Sequence, residues 1–365
     1  MKVCHMTSAH PPEDIRIFHK ECSSLATAGY EVYLVERGES YEKNGVHVVG
    51  VGEMPSGRLK RMTTGAKMVY EKALELDCDI YHFHDPELLP YGLKLKRKGK
   101  KVVFDSHELY REQIKERHYL PKPLLRVISF FYTIYENHVL RRIDGIIFPC
   151  LVDGVFPLRA RNTALLNNVP MLGELYDKYN ADAEKKPGSI CMVGSLTYER
   201  GITHFIKAVY RAGGEAFLGG KFSPESYEAE VKSMPEAACC HFLGFLNRGQ
   251  VLSLLQSSQI GCAVLLDAGQ YYHIENLPTK AYECMSLGLP VILSKTPYSE
   301  RVVKEYRFGV CVDPENLEEY ARAIRSLLDD PALCAEMGEN GRRAIRETFN
   351  WDVEFKNLLR LYDSL

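Results

Sequence analysis

Short apolar runs alternate with longer amphipathic segments along almost the whole chain. The runs are rich in Val, Ile and Leu, as in EVYLVE, KVVFD and GIIF in the first half and SICMV, GCAVL and LPVIL in the second. Between them apolar positions recur at helical spacing, as in GITHFIKAVYRAGG. Buried strands that alternate with amphipathic helices predict doubly wound parallel sheets, and therefore an α/β fold.

The alternation is interrupted once. Between Pro170 and Pro187 the stretch PMLGELYDKYNADAEKKP loses its apolar runs and becomes charged. A chain of 365 residues is also too long for one core. We therefore predict a Rossmann-like domain over residues 1–170, a linker over 171–187, a second Rossmann-like domain over 188–345 and a terminal helix over 346–365.

Composition and charge exclude some classes of function. The 46 basic and 48 acidic residues nearly balance, which argues against nucleic-acid binding as the main role. Residues 1–170 carry a small basic excess, which fits either a solvated face or an anionic partner. The eleven cysteines form no Cys-x-x-Cys pair, and no apolar run is long enough to span a membrane. These features predict a cytoplasmic chain with reduced thiols.

The first βα loop reads SAHPPEDIRIF and lacks the Gly-x-Gly-x-x-Gly pattern of dinucleotide-binding domains. This absence disfavours a nicotinamide-dependent dehydrogenase. His82 and His84 alternate on one strand beside Asp85, but two histidines and one aspartate are too few for a metal site, so we expect no bound metal. Two domains of this type are expected to hold their ligand in a cleft at the carboxyl ends of the strands.

The stretch IENLPTKAYECMSLGLPVIL places two carboxylates around a helix start. Pro278 suits a first helical position, and Gly288 and Pro290 end the helix. Glu275 then lies before the helix and Glu283 inside it, at a junction where α/β sheets hold ligands.

Three segments of the second half, MVGSLTYERGITHFIKAV, FLGFLNRGQVLSLLQSSQIGCAVL and ENLPTKAYECMSLGLPVILS, resemble the nucleotide-sugar-binding domain of retaining glycosyltransferases of family four. The segments HPPEDIRIFHKECSSLATAGYEV, YHFHDPELLPYG and VVFDSHELY resemble a branch of that family found in bacterial surface-polysaccharide synthesis. The resemblance implies a GT-B fold, in which two Rossmann-like domains face each other across a cleft. It also implies that the first domain binds the acceptor and that the terminal helix crosses back to it.

The resemblance assigns donor contacts in the second domain. Glu283 would accept hydrogen bonds from ribose hydroxyls and Glu275 from the sugar, while Arg200 would stabilise the leaving phosphate. The remaining donor-side positions are Gly194, Ser195, Asn276, Leu277, Thr279, Lys280 and Phe245. Two of the motif positions depart from the family, which commonly has a basic residue at Ser195 and a glycine at Pro278, so Lys280 is expected to compensate. Alternative interpretations leave Glu275, Glu283 and Arg200 as ordinary surface side chains.

In the first domain the resemblance places His107 near the reacting carbon of the donor sugar. We predict acceptor contacts at His10, Asp14, Arg16 and His84, with Arg16 facing an acceptor phosphate. A purely structural alternative has Asp14 capping the following helix and His107 capping the next one.

The stretch LPKPLLRVISFFYTIYENHVLRR has apolar residues at helical spacing, namely Leu124, Val127, Ile128, Phe131, Ile134 and Tyr135. Such a stripe either packs on the sheet or rests on a membrane interface beside Arg126, Arg141 and Arg142. In the second case the acceptor would be a sugar linked to a lipid such as a polyprenyl diphosphate.

Together these features predict a retaining, metal-independent hexosyltransferase. It would transfer a sugar from a nucleoside-diphosphate sugar to a saccharide or lipid-linked acceptor in surface-polysaccharide synthesis. The chain would need no cofactor and would be cytoplasmic, peripheral on the inner face of the cell membrane if the apolar stripe rests on it. Tyr271, Tyr272 and His273 are expected to govern donor selectivity. Two alternatives remain, a noncatalytic scaffold, suggested by Ser195 and Pro278, and a nucleotide-sugar epimerase.

Overall fold

The computed structural model describes residues 1–107, 109–115, 121–154, 156, 161–266 and 273–365. The chain forms two compact units. The first contains Met1–Asn168 together with Glu354–Leu365, and the second contains Val169–Val353. Each unit has its own sheet with helices packed against it, which confirms the predicted α/β fold with two Rossmann-like units.

The first unit is built on an eight-stranded sheet in the order β3-β4-β2-β1-β5-β6-β7-β8. All pairs are parallel except β3 with β4. The strands are β1 (Lys2–Met6), β2 (Glu31–Glu36), β3 (Tyr41–Lys43), β4 (Val46–Gly50), β5 (Ile80–Phe83), β6 (Lys101–Asp105), β7 (Gly145–Phe148) and β8 (Thr163–Leu165).

The β3–β4 hairpin is not among the elements that the sequence pattern predicts. Its turn is Asn44–Gly45, and both residues have positive φ, 53° and 75°. Asn-Gly is the preferred pair for such a two-residue turn because both residues tolerate this conformation. The turn was therefore readable from the sequence, although the three residues of β3 are too short for periodicity to show a strand.

Helices of the first unit connect these strands. Helix Ile15–Cys22 starts with five-residue backbone spacing, since the His19 amide donates to the Asp14 carbonyl over 3.3 Å. Such π-type winding is uncommon and is often found at functional sites. The other helical segments are Ser23–Thr27, Arg58–Lys60, Arg61–Gly65, Ala66–Glu75, Pro86–Leu88, Leu89–Arg97, Tyr110–Lys115 and Lys122–Leu140.

The second unit has six parallel strands in the order β11-β10-β9-β12-β13-β14. They are β9 (Ser189–Val193), β10 (Glu215–Gly219), β11 (Cys240–Gly244), β12 (Ile260–Ala263), β13 (Val291–Ser294) and β14 (Gly309–Val312). The helical segments are Tyr176–Lys178, Ile202–Ala212, Ser226–Lys232, Pro235–Cys239, Arg248–Ser257, Thr279–Ser286, Pro297–Tyr306, Leu317–Leu328, Pro331–Glu347 and Trp351–Asp363, the last of which continues into the first unit.

The last helix, Trp351–Asp363, confirms the predicted return to the first unit. The Glu354 carboxylate accepts hydrogen bonds from the backbone and side-chain nitrogens of Asn167, at 3.1 and 2.8 Å. Further along, Leu358, Leu361 and Tyr362 are buried. The C-terminal residues therefore complete the core of the unit that contains the N-terminus.

Helix Lys122–Leu140 keeps part of its apolar surface exposed. Leu125, Ser129, Glu136, Val139 and Leu140 face inward. The outward residues are Leu124, Val127, Ile128, Phe130, Phe131, Ile134 and Tyr135, each at least 38% exposed. The apolar stripe expected from the sequence thus lies on the surface. The interpretation in which this stripe packs on the sheet is therefore wrong. None of the described helices is sufficiently long and apolar to traverse a bilayer.

Candidate functional site

Polar side chains of the first unit meet where the strand order reverses. Strand β1 pairs with β2 on one side and with β5 on the other, and β5 pairs with β6. The residues that follow these strands therefore share one edge of the sheet. They are Thr7–His10, His84–Asp85 and Ser106–His107. In open α/β sheets this edge is the usual ligand site.

Asp85 organises the loop that follows β1. Its carboxylate accepts hydrogen bonds from the Thr7 hydroxyl at 2.8 Å and from the backbone amides of Ser8 and Ala9 at 2.6 and 3.1 Å. Burial alone would raise the pKa of Asp85, but the hydrogen bonds from His10 and this loop outweigh burial and hold the pKa well below its usual value. Asp85 is therefore a fixed negative charge that shapes the loop.

His10 and His107 stand together at the rim. Their ring centroids are 4.6 Å apart, and His10 Nδ1 lies 3.1 Å from Asp85 Oδ1. Burial lowers the pKa of His10, but the hydrogen bond and charge of Asp85 more than compensate and raise the pKa above its usual value. Both predicted site histidines therefore lie close together at the expected edge.

Behind this rim a chain of contacts connects His107 to the interior. His84 Nδ1 is 2.9 Å from His107 Nε2, and Asp105 Oδ2 is 3.3 Å from the same nitrogen. Burial lowers the pKa of His84 to about 4. Burial would raise the pKa of Asp105, but the nearby Arg16 and His107 hold it well below the usual range. His84 is completely buried, and His107 connects it to the rim.

Arg16 has internal partners. It makes two hydrogen bonds to Asp105, at 2.8 and 3.0 Å, and a third to the Leu166 carbonyl at 2.9 Å. The guanidinium is almost fully buried. Asp14 accepts from the amides of Arg16 and Ile17 and so caps the helix, as in the structural alternative. The acceptor contacts predicted for both residues remain predictions, beside these structural roles.

In the second unit the strand order reverses between β9 and β12, and Gly194 follows β9. Its amide donates to the Gly219 carbonyl over 2.8 Å. A β-carbon on Gly220 would overlap the carbonyl oxygen of Gly194. The two backbone segments therefore approach each other so closely that only glycine fits at 220.

Two cations face this glycine turn. A β-carbon on Gly194 would lie 2.6 Å from Arg200 Nη1 and 3.7 Å from Lys280 Cε. Ser195, next in the chain, is exposed. The structure thus brings together Arg200, Gly194, Ser195 and Lys280, which are donor-side positions implied by the resemblance. Two positive charges therefore lie beside bare backbone, an arrangement that can attract an anion.

Glu283 is buried within a basic frame. Its carboxylate accepts hydrogen bonds from Arg248 Nη1 at 2.8 Å and from Lys280 Nζ at 2.9 Å. Arg248 is not among the predicted site residues, although it opens helix Arg248–Ser257 within the segment FLGFLNRGQVLSLLQSSQIGCAVL. Its proximity depends on how that helix packs beside helix Thr279–Ser286, and no local pattern encodes this.

The loop before helix Thr279–Ser286 holds the other predicted donor residues. Glu275 pairs with Arg301 over 3.0 Å, and Asn276 accepts a 2.8 Å hydrogen bond from the Tyr282 hydroxyl. The Leu277 side chain is buried in the core, whereas Thr279 is exposed at the first helical position. The sequence predicts that Pro278 is the first residue of this helix. In the structure Pro278 precedes the helix, which begins at Thr279.

Phe245 is an exposed aromatic residue just after β11, with 71% of its surface accessible. Lys221 Nζ lies 5.6 Å from the ring centroid. An accessible ring of this kind suits stacking on a flat ligand. Of the residues proposed for donor selectivity, His273 is exposed, while Tyr271 and Tyr272 lie outside the described residues.

Two family models match the chain. Residues 16–151 match "Glycosyltransferase Family 4" and residues 176–344 match "Glycosyl transferases group 1". With the fold, these matches make the chain a glycosyltransferase family 4-like protein of the GT-B type.

Individual relatives are distant. A glycogen synthase of Mycobacterium tuberculosis is 25% identical over 173 residues, which cover 46% of this chain and 40% of the relative. The match thus spans less than half of that protein. Sucrose-phosphate synthase from Thermosynechococcus elongatus has a similar structure, with a TM-score of 0.75, 18% identity and coverage of 99% and 98% of the two chains. Anabaena HepE in complex with UDP and glucose is also similar in structure, with a TM-score of 0.71, 15% identity and coverage of 100% of both chains.

Proposed function

We propose that the protein is a retaining glycosyltransferase that uses a nucleoside-diphosphate sugar. The observation that supports this most is the site beside Gly194 in the second unit, where a glycine turn faces Arg200 and Lys280. A diphosphate needs donors and positive charge on a surface that lets it approach the backbone. This site supplies both at the carboxyl end of β9.

Each donor group has a matching residue in the proposal. The diphosphate would lie against Gly194, between Arg200 and Lys280. Each carboxylate oxygen of Glu283 bonds one cation, and its remaining lone pair is available to a ribose hydroxyl. Glu275 would accept hydroxyls of the sugar, and the exposed ring of Phe245 would contact the base. The Anabaena neighbour, whose complex contains UDP and glucose, supports a nucleotide-sugar donor.

The proposed transfer retains configuration without a protein nucleophile. The bond between the anomeric carbon and the phosphate oxygen breaks as the acceptor oxygen bonds to the same face of that carbon. The acceptor proton passes to the departing phosphate, whose negative charge Arg200 and Lys280 stabilise. These two cations can fulfil the role that a metal ion has in other phosphate-releasing enzymes.

The first unit contributes the acceptor side of the proposal. His10 and His107 lie side by side at the sheet edge, where they can exchange hydrogen bonds with sugar hydroxyls. The exposed apolar face of helix Lys122–Leu140 adjoins the exposed basic residues Arg126, Arg141 and Arg142. This combination suits an anionic membrane surface, and hence a lipid-linked acceptor of cell-surface polysaccharide.

Nucleotide binding tests the donor site directly. We expect one of UDP, GDP, ADP, CMP and dTDP to raise the melting temperature of the parent chain, because a ligand that binds only the folded state stabilises it. Glu283→Gln and Lys280→Met should each lose most of that shift. Lys304→Met, which changes an exposed lysine of the same unit, should retain it.

Turnover separates the enzyme from the scaffold alternative. With the preferred nucleotide known, release of that nucleoside diphosphate from the corresponding sugar donors should depend on Arg200. Binding without release for any donor, with or without saccharide acceptors, would favour the noncatalytic scaffold. The absence of any nucleotide shift would contradict the donor site itself.

A further inference from the structure

Beneath the rim of the first unit lies a second group of chemically active side chains. His5 of β1 pairs in register with His82 of β5, and His84 follows two residues later on the same face. Glu21, from helix Ile15–Cys22, reaches the same point, and all four residues are 0% exposed. We call His5, Glu21, His82 and His84 the buried His–Glu cluster.

Several polar atoms of this cluster have no hydrogen-bond partner among the described residues. They are His82 Nε2 and both carboxylate oxygens of Glu21. Arg16 Nε is 3.1 Å from Glu21 Oε1, an ion pair without hydrogen-bond geometry. Leaving polar groups buried and unmatched is costly, and native proteins rarely do so. The unmatched atoms are therefore available to a ligand.

The spacing of the inward-facing atoms fits a metal ion. Glu21 Oε2 is 3.9 Å from His5 Nδ1 and 3.9 Å from His82 Nε2, and His5 Nδ1 is 3.0 Å from His84 Nε2. All four ligand atoms lie within 4.8 Å of one another. Ligands at about 2.1 Å around a tetrahedral ion are about 3.4 Å apart. The distances bracket that value.

The outward-facing nitrogens have the partners that metal-bound histidines require. His82 Nδ1 is 2.9 Å and His5 Nε2 is 3.3 Å from the Tyr362 hydroxyl, whose oxygen can accept from both. His84 Nδ1 lies 2.9 Å from His107 Nε2 and 3.6 Å from Asp105 Oδ2. A ligating histidine turns a lone pair to the metal and donates its other N–H to such a group.

Two carboxyl groups and one guanidinium border this position. Glu21 and Asp105 are carboxyl groups without solvent contact, and Arg16 touches both. Imidazole nitrogens and carboxylate oxygens are both ligands of zinc and related borderline metals.

We propose that the buried His–Glu cluster binds one Zn²⁺ ion as a structural centre. All four positions around the ion are filled by protein, and none is left for substrate, so the ion stabilises the first unit and takes no part in the transfer. The proposal goes beyond the proposed function and does not depend on it. Asp85, the neighbour of His84, is not a ligand in this proposal, because its carboxylate bonds the Thr7–Ala9 loop instead.

Metal content provides the first test. We expect the full chain, purified from zinc-supplemented medium without chelators, to contain about one zinc per chain by elemental analysis. His82→Gln and Glu21→Gln should lose at least nine-tenths of it, because each removes an inward ligand. His241→Gln, which changes an exposed histidine of the second unit, should retain the parent value.

Refolding provides a second test that needs no variant. The parent should be refolded from denaturant with Zn²⁺, with Co²⁺, or with EDTA. We expect a higher melting temperature with Zn²⁺ than with EDTA, and with Co²⁺ the intense visible bands of four-coordinate cobalt. A metal-free parent whose melting temperature is the same in both refolding conditions would overturn the proposal. Nucleotide shifts measured on the same samples would show separately whether the donor site is intact.

Discussion

Gly220 has no space for a side chain. We expect Gly220→Ala to lower the melting temperature of the second unit by roughly 10 °C, which corresponds to about 3 kcal/mol, because the new methyl group must push the Gly194 carbonyl away. The same displacement should weaken nucleotide binding. Differential scanning calorimetry with and without nucleotide measures both effects.

The matched control is Gly213→Ala. Gly213 has a φ of 77° but no atom within 4 Å of an added β-carbon, so it incurs only the conformational cost of about 1 kcal/mol. Equal effects of the two substitutions would mean that the contact with Gly194 has no special importance.

Arg16 allows a structural role to be separated from an acceptor role. Lysine retains the charge but cannot form the two-pronged contact with Asp105 and also reach the Leu166 carbonyl. We expect Arg16→Lys to destabilise the first unit by about 3 kcal/mol, seen as a lower melting temperature. An Arg16 that served only an acceptor phosphate would leave the melting temperature unchanged and raise the acceptor KM. Arg346→Lys, at an exposed position, is the control.

At the scale of residues, the sequence predicted which residues lie in the donor site better than it predicted their contact partners. Arg200, Gly194 and Lys280 do converge in the structure. The Arg248 and Arg301 partners of the two motif glutamates come from other helices. A spacing motif records positions along one segment, whereas these pairs depend on the packing of several segments.

At the scale of elements, helix Lys122–Leu140 has one face buried against the first unit and one apolar face exposed to solvent. On its inner face Glu136 is 2% exposed and accepts a 3.0 Å hydrogen bond from the Tyr132 hydroxyl. Burial raises the pKa of Glu136 to about 7, and the Tyr132 bond only partly opposes this. On its outer face apolar side chains meet solvent. Sequence periodicity predicted the helix, but it could not decide which stripe faces the sheet.

Glu136 makes stability depend on pH. The folded state retains the Glu136 proton between the usual carboxyl pKa of 4.5 and about 7, whereas the unfolded state releases it. Glu136 therefore contributes up to about 3 kcal/mol to the free energy of unfolding below pH 4.5, and this contribution is lost as the pH rises through 7. We expect Glu136→Gln to raise the melting temperature at pH 8 relative to the parent and to flatten its pH dependence. Glu71→Gln, at an exposed site, should change neither.

The outer face should bind anionic membranes. Phe130 and Phe131 are 62% and 64% exposed. We expect the chain to co-sediment with vesicles that contain phosphatidylglycerol, and the double variant Phe130→Ser/Phe131→Ser to bind about tenfold more weakly, since each ring buries apolar area in the interface. The pair Tyr210→Ser/Leu243→Ser changes exposed apolar residues of the second unit and should leave binding unaffected. Equal binding of both double variants would contradict the membrane assignment.

At the scale of the whole molecule, the two units depend unequally on the last helix. Removal of Glu354–Leu365 deletes Glu354, the partner of Asn167, and takes Leu358, Leu361 and Tyr362 out of the core of the first unit. We expect this truncation to unfold the first unit while the second still binds nucleotide. Limited proteolysis should then yield a protected fragment near Val169–Val353. Tyr362→Phe, which removes only the hydroxyl, should retain two protected units.

The alternation of strands and helices was sufficient to predict two parallel-sheet units, because buried parallel strands have a strong apolar signature. The β3–β4 edge and the precise helix starts were not predicted, since short elements depend on turn chemistry more than on periodicity. The return of the last helix was implied by the resemblance alone. Nothing in an amphipathic helix specifies which of two sheets it will cover.

That return has a consequence for synthesis. A ribosome releases residues 1–168 long before it releases residues 354–365, and the whole of the second unit is made in between. At typical elongation rates the delay is on the order of ten seconds or more. Throughout this interval the first sheet lacks part of its covering, so its nascent form is a natural client for chaperones. Slower translation through the second unit would prolong this exposure, and codon choice there would influence the yield of a part of the protein that has already been translated.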